Sequence, residues 1–446
     1  MGLFFYNIFL LLFKAAVPIA ALFNAKAKKW VDGRRNIFDN LVTAIADNDK
    51  IIWVHCASLG EFEQGRPVIE KLRANYPNYK LLLTFFSPSG YEIRKNYNGV
   101  DWVFYLPLDS RHNAKRFMQI VRPSLVIFVK YEFWYYYLKE IKHLNTPLLL
   151  ICALFLERSI FFKWYGGLQR KMLSLFTHLF VQNERSKRLL DSIGLAGKSS
   201  VCGDTRFDRV IEIAEKFTPL TAIEKFVGSN KTIVAGSTWP QDEQVLQKAI
   251  NTIKHPLLKL IIAPHEINKE HIVQVQKIFP DSMLYSQLAA NQSPTFDILS
   301  ADVLKKSEPT GVKPLSTHHS PLTTSNTLII DNIGILSSLY HYAFITYIGG
   351  GFGKGIHNTL EAAVYGKPVL FGPAYDKFQE AIDLISNGGA ISINKTEECI
   401  STIEKLIDDD LAYIKSCEGS KDYVYANRGA TNKIMNYIQE KRLLTN

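Results

Sequence analysis

The sequence predicts an α/β protein of two doubly wound domains, and three observations carry that expectation. Short β-rich runs alternate with segments long enough for a helix, first from residue 51 to about 215 and again from about 232 to 393. Between the two series lies residues 215–230, which hold Pro219 and a charged helical patch. At 446 residues the chain is too long for one ordinary core and fits two, each of about 150–200 residues. Most runs are separated by room for a crossover helix, which argues for parallel sheets. Ligands of such sheets bind beyond the carboxyl ends of the strands, so the active site is expected in the cleft between the domains.

Residues 3–23 are almost entirely apolar, interrupted by Asn7, Lys14 and Pro18 and followed by Lys26, Lys28, Lys29, Arg34 and Arg35. A signal peptide places its positive charges before the apolar stretch, the reverse of this order. A lysine near the middle of a span costs about 2.5–3.5 kcal/mol on insertion scales. The expectation is therefore an interfacial or weakly inserted anchor, residues 1–35, whose basic flank holds to anionic lipid on the cytoplasmic side. The bland alternative is a buried helix of a soluble domain.

Strands are expected at 51–56, 80–86, 102–105, 125–129, 148–152, 178–181 and 200–202 in a first domain, 36–216, and a linker at 217–229. The second domain, 230–446, is expected to hold strands at 232–235, 258–263, 283–285, 327–330, 343–348, 368–371 and 390–393, and a mostly helical end. Within it, 286–326 is rich in Ser, Thr, Pro and Asn and is expected to be a flexible insertion with a short helix near 301–306.

Hydrophobic residues form 47% of the chain and the net charge is +10, which points to an anionic partner. The basic residues are spread out and no recognised motif gathers them, so nucleic acid is not expected. Five dispersed cysteines without a Cys-x-x-Cys pair indicate neither a disulfide framework nor zinc. His265-Glu266 resembles the start of a zinc-protease helix, but Lys269 stands where the second histidine belongs. No metal and no cofactor are expected.

Residues 347–361, Tyr-Ile-Gly-Gly-Gly-Phe-Gly-Lys-Gly-Ile-His-Asn-Thr-Leu-Glu, suggest a strand, a glycine loop and a helix start, where free N–H groups and the helix end favour a phosphate. A plain glycine-rich turn is the alternative. The P-loop pattern fails because Gly355 follows Lys354, and no register supplies Gly-x-Gly-x-x-Gly. Asn358 and Glu361, three apart on one helix face, suit a ribose diol, or else an N-cap and its capping-box acid. Ser237 and Thr238, at the end of an expected strand, offer hydroxyls to a phosphate; Pro264-His265 and Asp331-Asn-Ile-Gly334 end two others. In the first domain Glu61 follows a strand at a helix start, placed either as a general base or as an electrostatic cap. Glu132, beside Tyr131 and Trp134, could meet sugar hydroxyls or simply open a helix. Arg206, in Gly203-Asp-Thr-Arg206-Phe-Asp208, could stabilise negative charge or be an ordinary exposed cation.

Together, Trp53-Val-His-Cys-Ala-Ser-Leu-Gly-Glu61, Tyr131-Glu-Phe-Trp134, Gly203-Asp-Thr-Arg-Phe-Asp208, Ala235-Gly-Ser-Thr238, Ala263-Pro-His265 and Gly355-Ile-His-Asn-Thr-Leu-Glu361 resemble the 3-deoxy-D-manno-octulosonic acid (Kdo) transferases of lipopolysaccharide assembly, over nearly the whole chain. The resemblance implies a GT-B fold, two Rossmann-like domains facing across a cleft, with the acceptor bound by the first and the nucleotide sugar by the second. It implies metal-independent, inverting transfer of Kdo from CMP-Kdo to a phosphorylated glycolipid, a lipid A precursor of the lipid IVA type, at the cytoplasmic face of the inner membrane. Glu61 would be the base, Glu132 and Arg206 would stabilise the transition state, and Pro264, His265, Ile333, Gly334, Ile335, Asn358, Thr359, Leu360 and Glu361 would form the CMP site. The chain departs from the pattern at Lys130, where an acid is common, at Arg206, where lysine is common, and at His265, where arginine is common. Arginine keeps the charge but not the geometry. The 286–326 insertion is also outside the pattern. Two other readings compete: a GT-B transferase or epimerase using a UDP-sugar, and a non-catalytic basic protein of the membrane surface.

Overall fold

The computed structural model describes residues 2–290 and 325–445. The chain divides into two compact units, Met1–Arg209 with Asn427–Asn446, and Val210–Ala426. The first unit holds β1 (Ile51–Cys56), β2 (Lys80–Phe85), β3 (Trp102–Tyr105), β4 (Pro123–Val129), β5 (Leu148–Ala153), β6 (His178–Val181) and β7 (Ser199–Val201). These strands are parallel and lie in the order β3-β2-β1-β4-β5-β6-β7. The second holds β8 (Lys231–Thr238), β9 (Leu258–Pro264), β10 (Met283–Leu284), β11 (Thr327–Ile329), β12 (Ile345–Ile348), β13 (Val369–Phe371) and β14 (Ala390–Ser392). Its parallel order is β10-β11-β9-β8-β12-β13-β14. All the expected strands form, with ends moved by three residues at most, and the fold class is GT-B.

The central strand shows why the sequence folds this way. Ile51 and Trp53 face a core with Phe117, Phe128 and Tyr137, whereas Ile52, Val54 and Cys56 face one with Phe62, Leu83 and Ile127. Successive side chains of a strand point to opposite faces, so a strand covered on both must be apolar nearly throughout. In each sheet the strand order reverses beside the central strand, between β1 and β4 and between β8 and β12. Crossovers leave to opposite faces there, and the carboxyl ends open a crevice.

The unit boundaries differ from the expected ones. Residues 217–229 are packed structure rather than a linker: Phe217 stacks on His341 at 3.9 Å, the Leu220 N–H donates to the Tyr342 hydroxyl at 2.6 Å, and Ile223 is buried. The last helix, Ala430–Glu440, belongs to the first unit, because Ile434, Met435 and Ile438 join the core of Phe180 and Cys202. Asp208 fastens it, accepting from the Gly429 and Thr431 N–H groups at 2.5 and 2.6 Å. The start of the expected insertion is the helix Tyr285–Ala290, tied by Ser286 to Asp331. Residues 291–324, with the short helix expected near 301–306, lie outside the described residues.

The N-terminal helix, Gly2–Ala20, is long and apolar enough to cross a membrane by length and composition. Its contacts with the rest of the first unit are apolar and polar together: Leu3 and Tyr6 pack on the core and Phe13 on the rings of Trp30 and Phe86, while the Tyr6 hydroxyl donates to Asp109 at 2.6 Å and the Tyr136 hydroxyl to Asn7 at 2.7 Å. Phe4, Phe5, Phe9, Leu11, Leu12 and Ile19 stay exposed, so it is not the buried helix of the bland alternative. Burial pushes the Asp109 carboxyl up to about 6. Lys26, Lys28, Lys29 and Arg35 are exposed, but Arg34 leaves the expected basic flank. Its guanidinium donates to the carbonyls of Leu106, Trp30 and Phe86 at 2.9, 3.1 and 2.8 Å and lies 3.8 Å from the Trp30 ring centroid. Desolvation lowers its pKa to about 9.

Removing the carboxylate that opens the last helix has a defined cost. Asp208→Ala is expected to lower stability by about 1–2 kcal/mol, the loss of an N-cap acceptor. Hydrogen exchange should quicken first in residues 430–440; unchanged protection there would show that apolar packing alone holds the helix.

Candidate active site

Glu61 and Glu132 stand at the carboxyl ends of adjacent strands, β1 and β4, at the point where the strand order reverses. After β1 the chain passes through Ser58, the N-cap residue of the helix Leu59–Asn75, which puts Glu61 in its first turn, where the helix dipole favours a carboxylate. The Ser58 hydroxyl donates to Glu61 Oε2, and among the described residues none bonds Oε1. Glu61 is half-buried. Glu63 turns to another face and pairs with Arg94 at 2.8 Å.

β4 ends at Val129, and the next residue, Lys130, has a left-handed φ of 63°, a conformation that costs a side-chain-bearing residue about 1–2 kcal/mol. The sharp exit carries Glu132 back into the unit, where it is buried. Two ring nitrogens converge on its Oε2, His55 Nε2 at 2.9 Å and Trp134 Nε1 at 2.6 Å. Behind His55, Nδ1 lies 2.8 Å from the Thr84 hydroxyl, which also accepts from Trp53 Nε1 at 2.7 Å. The negative charges of both Glu61 and Glu132 raise the pKa of Cys56, after burial, the larger cause.

Arg206 is at the end of the same sheet but is not an open cation. Its backbone N–H, Nε and Nη2 all bond Asp204, at 2.9, 2.9 and 2.8 Å. Asp204 is buried and also accepts from Gln64 and Gln182 at 3.2 and 3.1 Å. The guanidinium is thus oriented and partly neutralised within its own turn.

In the second unit the residues around β8 and β12 separate. Ser237, with φ 54°, is half-buried, and among the described residues none bonds its hydroxyl. Thr238, by contrast, is buried and donates to Glu243 at 3.1 Å, so its hydroxyl is not offered to a phosphate. Asn358 and Glu361 bond each other, Asn358 Nδ2 donating to Glu361 Oε1 at 2.8 Å. The helix begins at Leu360, whose N–H donates to Asn358 Oδ1 at 3.2 Å, so the N-cap half of the alternative reading holds. Thr359 Oγ1 is buried without a partner among the described residues. Pro264 ends β9 in the core, and Ile333, Gly334 and Ile335 form a turn after β11, with Gly334 at φ 101° and Ile333 exposed.

The glycine loop is not the row of free N–H groups the sequence suggested. Gly349 N–H donates to Gly236 O at 2.9 Å, and Gly353 and Gly355 N–H groups to Gly350 O at 3.0 and 3.2 Å. Gly350 N–H donates at 2.8 Å to the buried carboxylate of Asp242, which also accepts from Tyr347 and from the Trp239 N–H. A carboxylate thus occupies the place expected of a phosphate, and burial raises its pKa. The glycines serve close packing: a Cβ on Gly349 would stand 2.2 Å from Ser237 O, and one on Gly351 2.5 Å from Gly372 N.

Sequence reasoning named His265 but passed over the two rings that flank it beside this loop, Trp239 and His357. His265 is exposed and stacks between Trp239, at 4.8 Å, and His357, at 4.4 Å. Trp239 Nε1 donates to His357 Nε2 at 3.1 Å, which leaves the His357 proton on Nδ1. Only Trp239-Pro240 at a helix start hinted at this arrangement. Another feature missed is a groove of about 580 Å³ between the N-terminal helix and the first unit, lined in part by Lys14, Trp30, Arg35 and Arg116.

Residues 32–209 match the family described as 3-deoxy-D-manno-octulosonic-acid transferase (kdotransferase). The chain is similar to the 3-deoxy-D-manno-octulosonic acid transferase of Rickettsia bellii, 25% identical over 81% of this chain and 80% of that one. That of Aquifex aeolicus is 26% identical over 80% of this chain and 86% of its own. Among solved structures, the UDP-GlcNAc 2-epimerase from Neisseria meningitidis, bound to UDP-GlcNAc, superposes with a TM-score of 0.57 over 88% of this chain and all of that one, at 17% identity. It shares the fold.

The half-buried imidazole of His357 yields a pH dependence. Burial, and then the charge of His265, lower its pKa from the ordinary 6.5 to about 4. Between those values the unfolded chain binds a proton that the folded chain does not, so stability rises with pH through this window and is lost as pH falls towards 4. In His357→Gln the drop in thermal midpoint from pH 7 to pH 5 should be smaller than in the parent; an equal drop would remove His357 as a cause.

Proposed function

We propose that the chain is a glycosyltransferase of the Kdo transferase family acting in lipopolysaccharide synthesis, and that it moves Kdo from CMP-Kdo to a lipid A precursor of the lipid IVA type with inversion at the anomeric carbon. The observation that carries the reading is the pair of carboxylates at the order reversal of the first sheet, Glu61 at the end of β1 and Glu132 at the end of β4. In this reading Glu61 takes the proton of the acceptor hydroxyl with the oxygen that Ser58 leaves open. The hydroxyl oxygen bonds to the anomeric carbon as the bond from that carbon to the CMP phosphate oxygen breaks, and CMP leaves with the electron pair. Glu132, fixed by two ring donors, faces the positive charge that develops on the sugar. Arg206, steered by Asp204, adds positive charge towards the phosphate.

The donor half is assigned to the second unit, where Ser237, the His265 stack and the 333–335 turn lie at the carboxyl ends of β8, β9 and β11. Neither a metal nor a cofactor takes part, and CMP-Kdo is a substrate. The exposed apolar face of the N-terminal helix, with Lys26, Lys28, Lys29 and Arg35 beside it, supports a seat on anionic lipid at the cytoplasmic face of the inner membrane. The acceptor phosphates would meet the same basic side of the first unit.

Glu61→Gln should reduce transfer from CMP-Kdo to a tetra-acylated lipid A precursor by about 10²–10⁴-fold, the usual worth of a general base. The product is weighed by mass spectrometry and the melting curve should be unchanged; near-parental transfer would reject Glu61 as the base. Donor choice is read separately. CMP at a hundred times its dissociation constant should stabilise the protein by about 2.7 kcal/mol, whereas UDP at the same concentration should leave the melting midpoint in place. Protection by UDP alone would favour a UDP-sugar enzyme.

A further inference from the structure

We infer that His55 is a positioning residue that acts through Glu132, fixing one carboxylate oxygen so that the other is presented to the reacting sugar. The inference rests on the reading above, in which Glu132 meets the sugar.

His55 lies on β1 with no exposed surface, so it cannot touch a substrate itself. Its strand alternation sends it to the same face as Trp53, among Phe128 and other apolar rings. Packing alone would be served there by an apolar side chain, because an imidazole so placed needs both nitrogens paired to offset its desolvation. Both are paired, and the hydrogens run in one direction. Trp53 Nε1 can only donate, and it donates to the Thr84 hydroxyl. The Thr84 hydroxyl hydrogen is then directed at His55 Nδ1, 2.8 Å away, which puts the imidazole hydrogen on Nε2. A doubly protonated ring, with Nδ1 donating to the Thr84 carbonyl at 3.1 Å, carries the same hydrogen on Nε2. In both forms Nε2 donates to Glu132 Oε2 at 2.9 Å.

Trp134 Nε1 donates to that same oxygen at 2.6 Å. Two rigid ring donors on one oxygen fix the rotation of the carboxylate plane, and among the described residues none bonds Oε1. The chain Trp53, Thr84, His55, Glu132 therefore has one open end, and it is the oxygen that the proposed chemistry uses. Networks of this kind hold a functional group in its productive orientation by locking the residue behind it.

The test uses the full chain with CMP-Kdo and a tetra-acylated lipid A precursor, comparing kcat and donor KM in His55→Leu, His55→Gln, His55→Asn, Glu132→Gln and the double variant His55→Leu/Glu132→Gln. A hydrogen bond to a charged group corresponds to about a 10- to 100-fold loss of kcat in His55→Leu. Donor KM should stay within about threefold, the mark of an interaction made in the transition state. His55→Gln, whose amide reaches the Nε2 position, should recover most of kcat. His55→Asn, whose amide reaches only the Nδ1 position beside Thr84, should not. In the Glu132→Gln background His55→Leu should cost nothing further.

The inference is overturned if Glu132→Gln is impaired while His55→Leu keeps parental kcat, if Gln and Asn behave alike, or if the two losses multiply in the double variant. Should His55→Leu not fold, the Gln and Asn pair decides alone. Parental activity in Glu132→Gln would instead overturn the role given to Glu132, a failure distinct from that of His55.

Discussion

A strand that is hydrogen-bonded along both edges and buried on both faces can present chemistry only at its ends. β1 meets β2 and β4 at every position from Ile51 to His55, and β8 is held in the same way between β9 and β12. The crossovers beside each central strand leave to opposite faces, so the carboxyl ends are where side chains can converge. Glu61, Glu132 and Ser237 all occupy that edge. The chain must turn abruptly to leave it, which is why Lys130 and Ser237 adopt φ values of 63° and 54°. Backbone conformations of this cost persist where the surrounding sheet over-determines them, and they gather at functional edges.

The buried polar groups obey a second constraint. A satisfied hydrogen bond contributes about 1 kcal/mol net, whereas an orphaned buried group costs about 1–3 kcal/mol, so most polar residues enter the cores in bonded sets, with exceptions such as Thr359 Oγ1 and Glu243 Oε2. Asp242 gathers the Tyr347 hydroxyl and the N–H groups of Gly350 and Trp239. Glu243 gathers Thr238 and His271. The shape of the glycine loop therefore follows from an internal carboxylate. In the first unit Asp204 plays the same part for Arg206, converting a candidate free cation into an oriented one.

Some of the candidate site was visible in the chain and some was not, for identifiable reasons. Glu61 was legible because an apolar run ending in Ser-Leu-Gly-Glu marks a strand that passes directly into a helix start. Asn358 and Glu361 were legible as neighbours through helical spacing, yet spacing could not show that they bond each other. Arg34 counted as one more flank charge, although three carbonyls and the Trp30 ring take it out of the flank. The C-terminal helix was assigned by its place in the chain, while its apolar face fits the first unit's core.

The sequence by itself determined the kind and order of the elements: fourteen strands in two series, and the ends at which functional residues would lie. It could do so because strand periodicity, apolar runs and turn residues are local properties, legible within a few positions. Only the tertiary structure decided which polar groups meet. His55 reaches Glu132 across 77 residues, and Gly350 reaches Asp242 across 108. No local pattern encodes such distances, because each pair exists only once separate strands have paired in a sheet and brought their ends together.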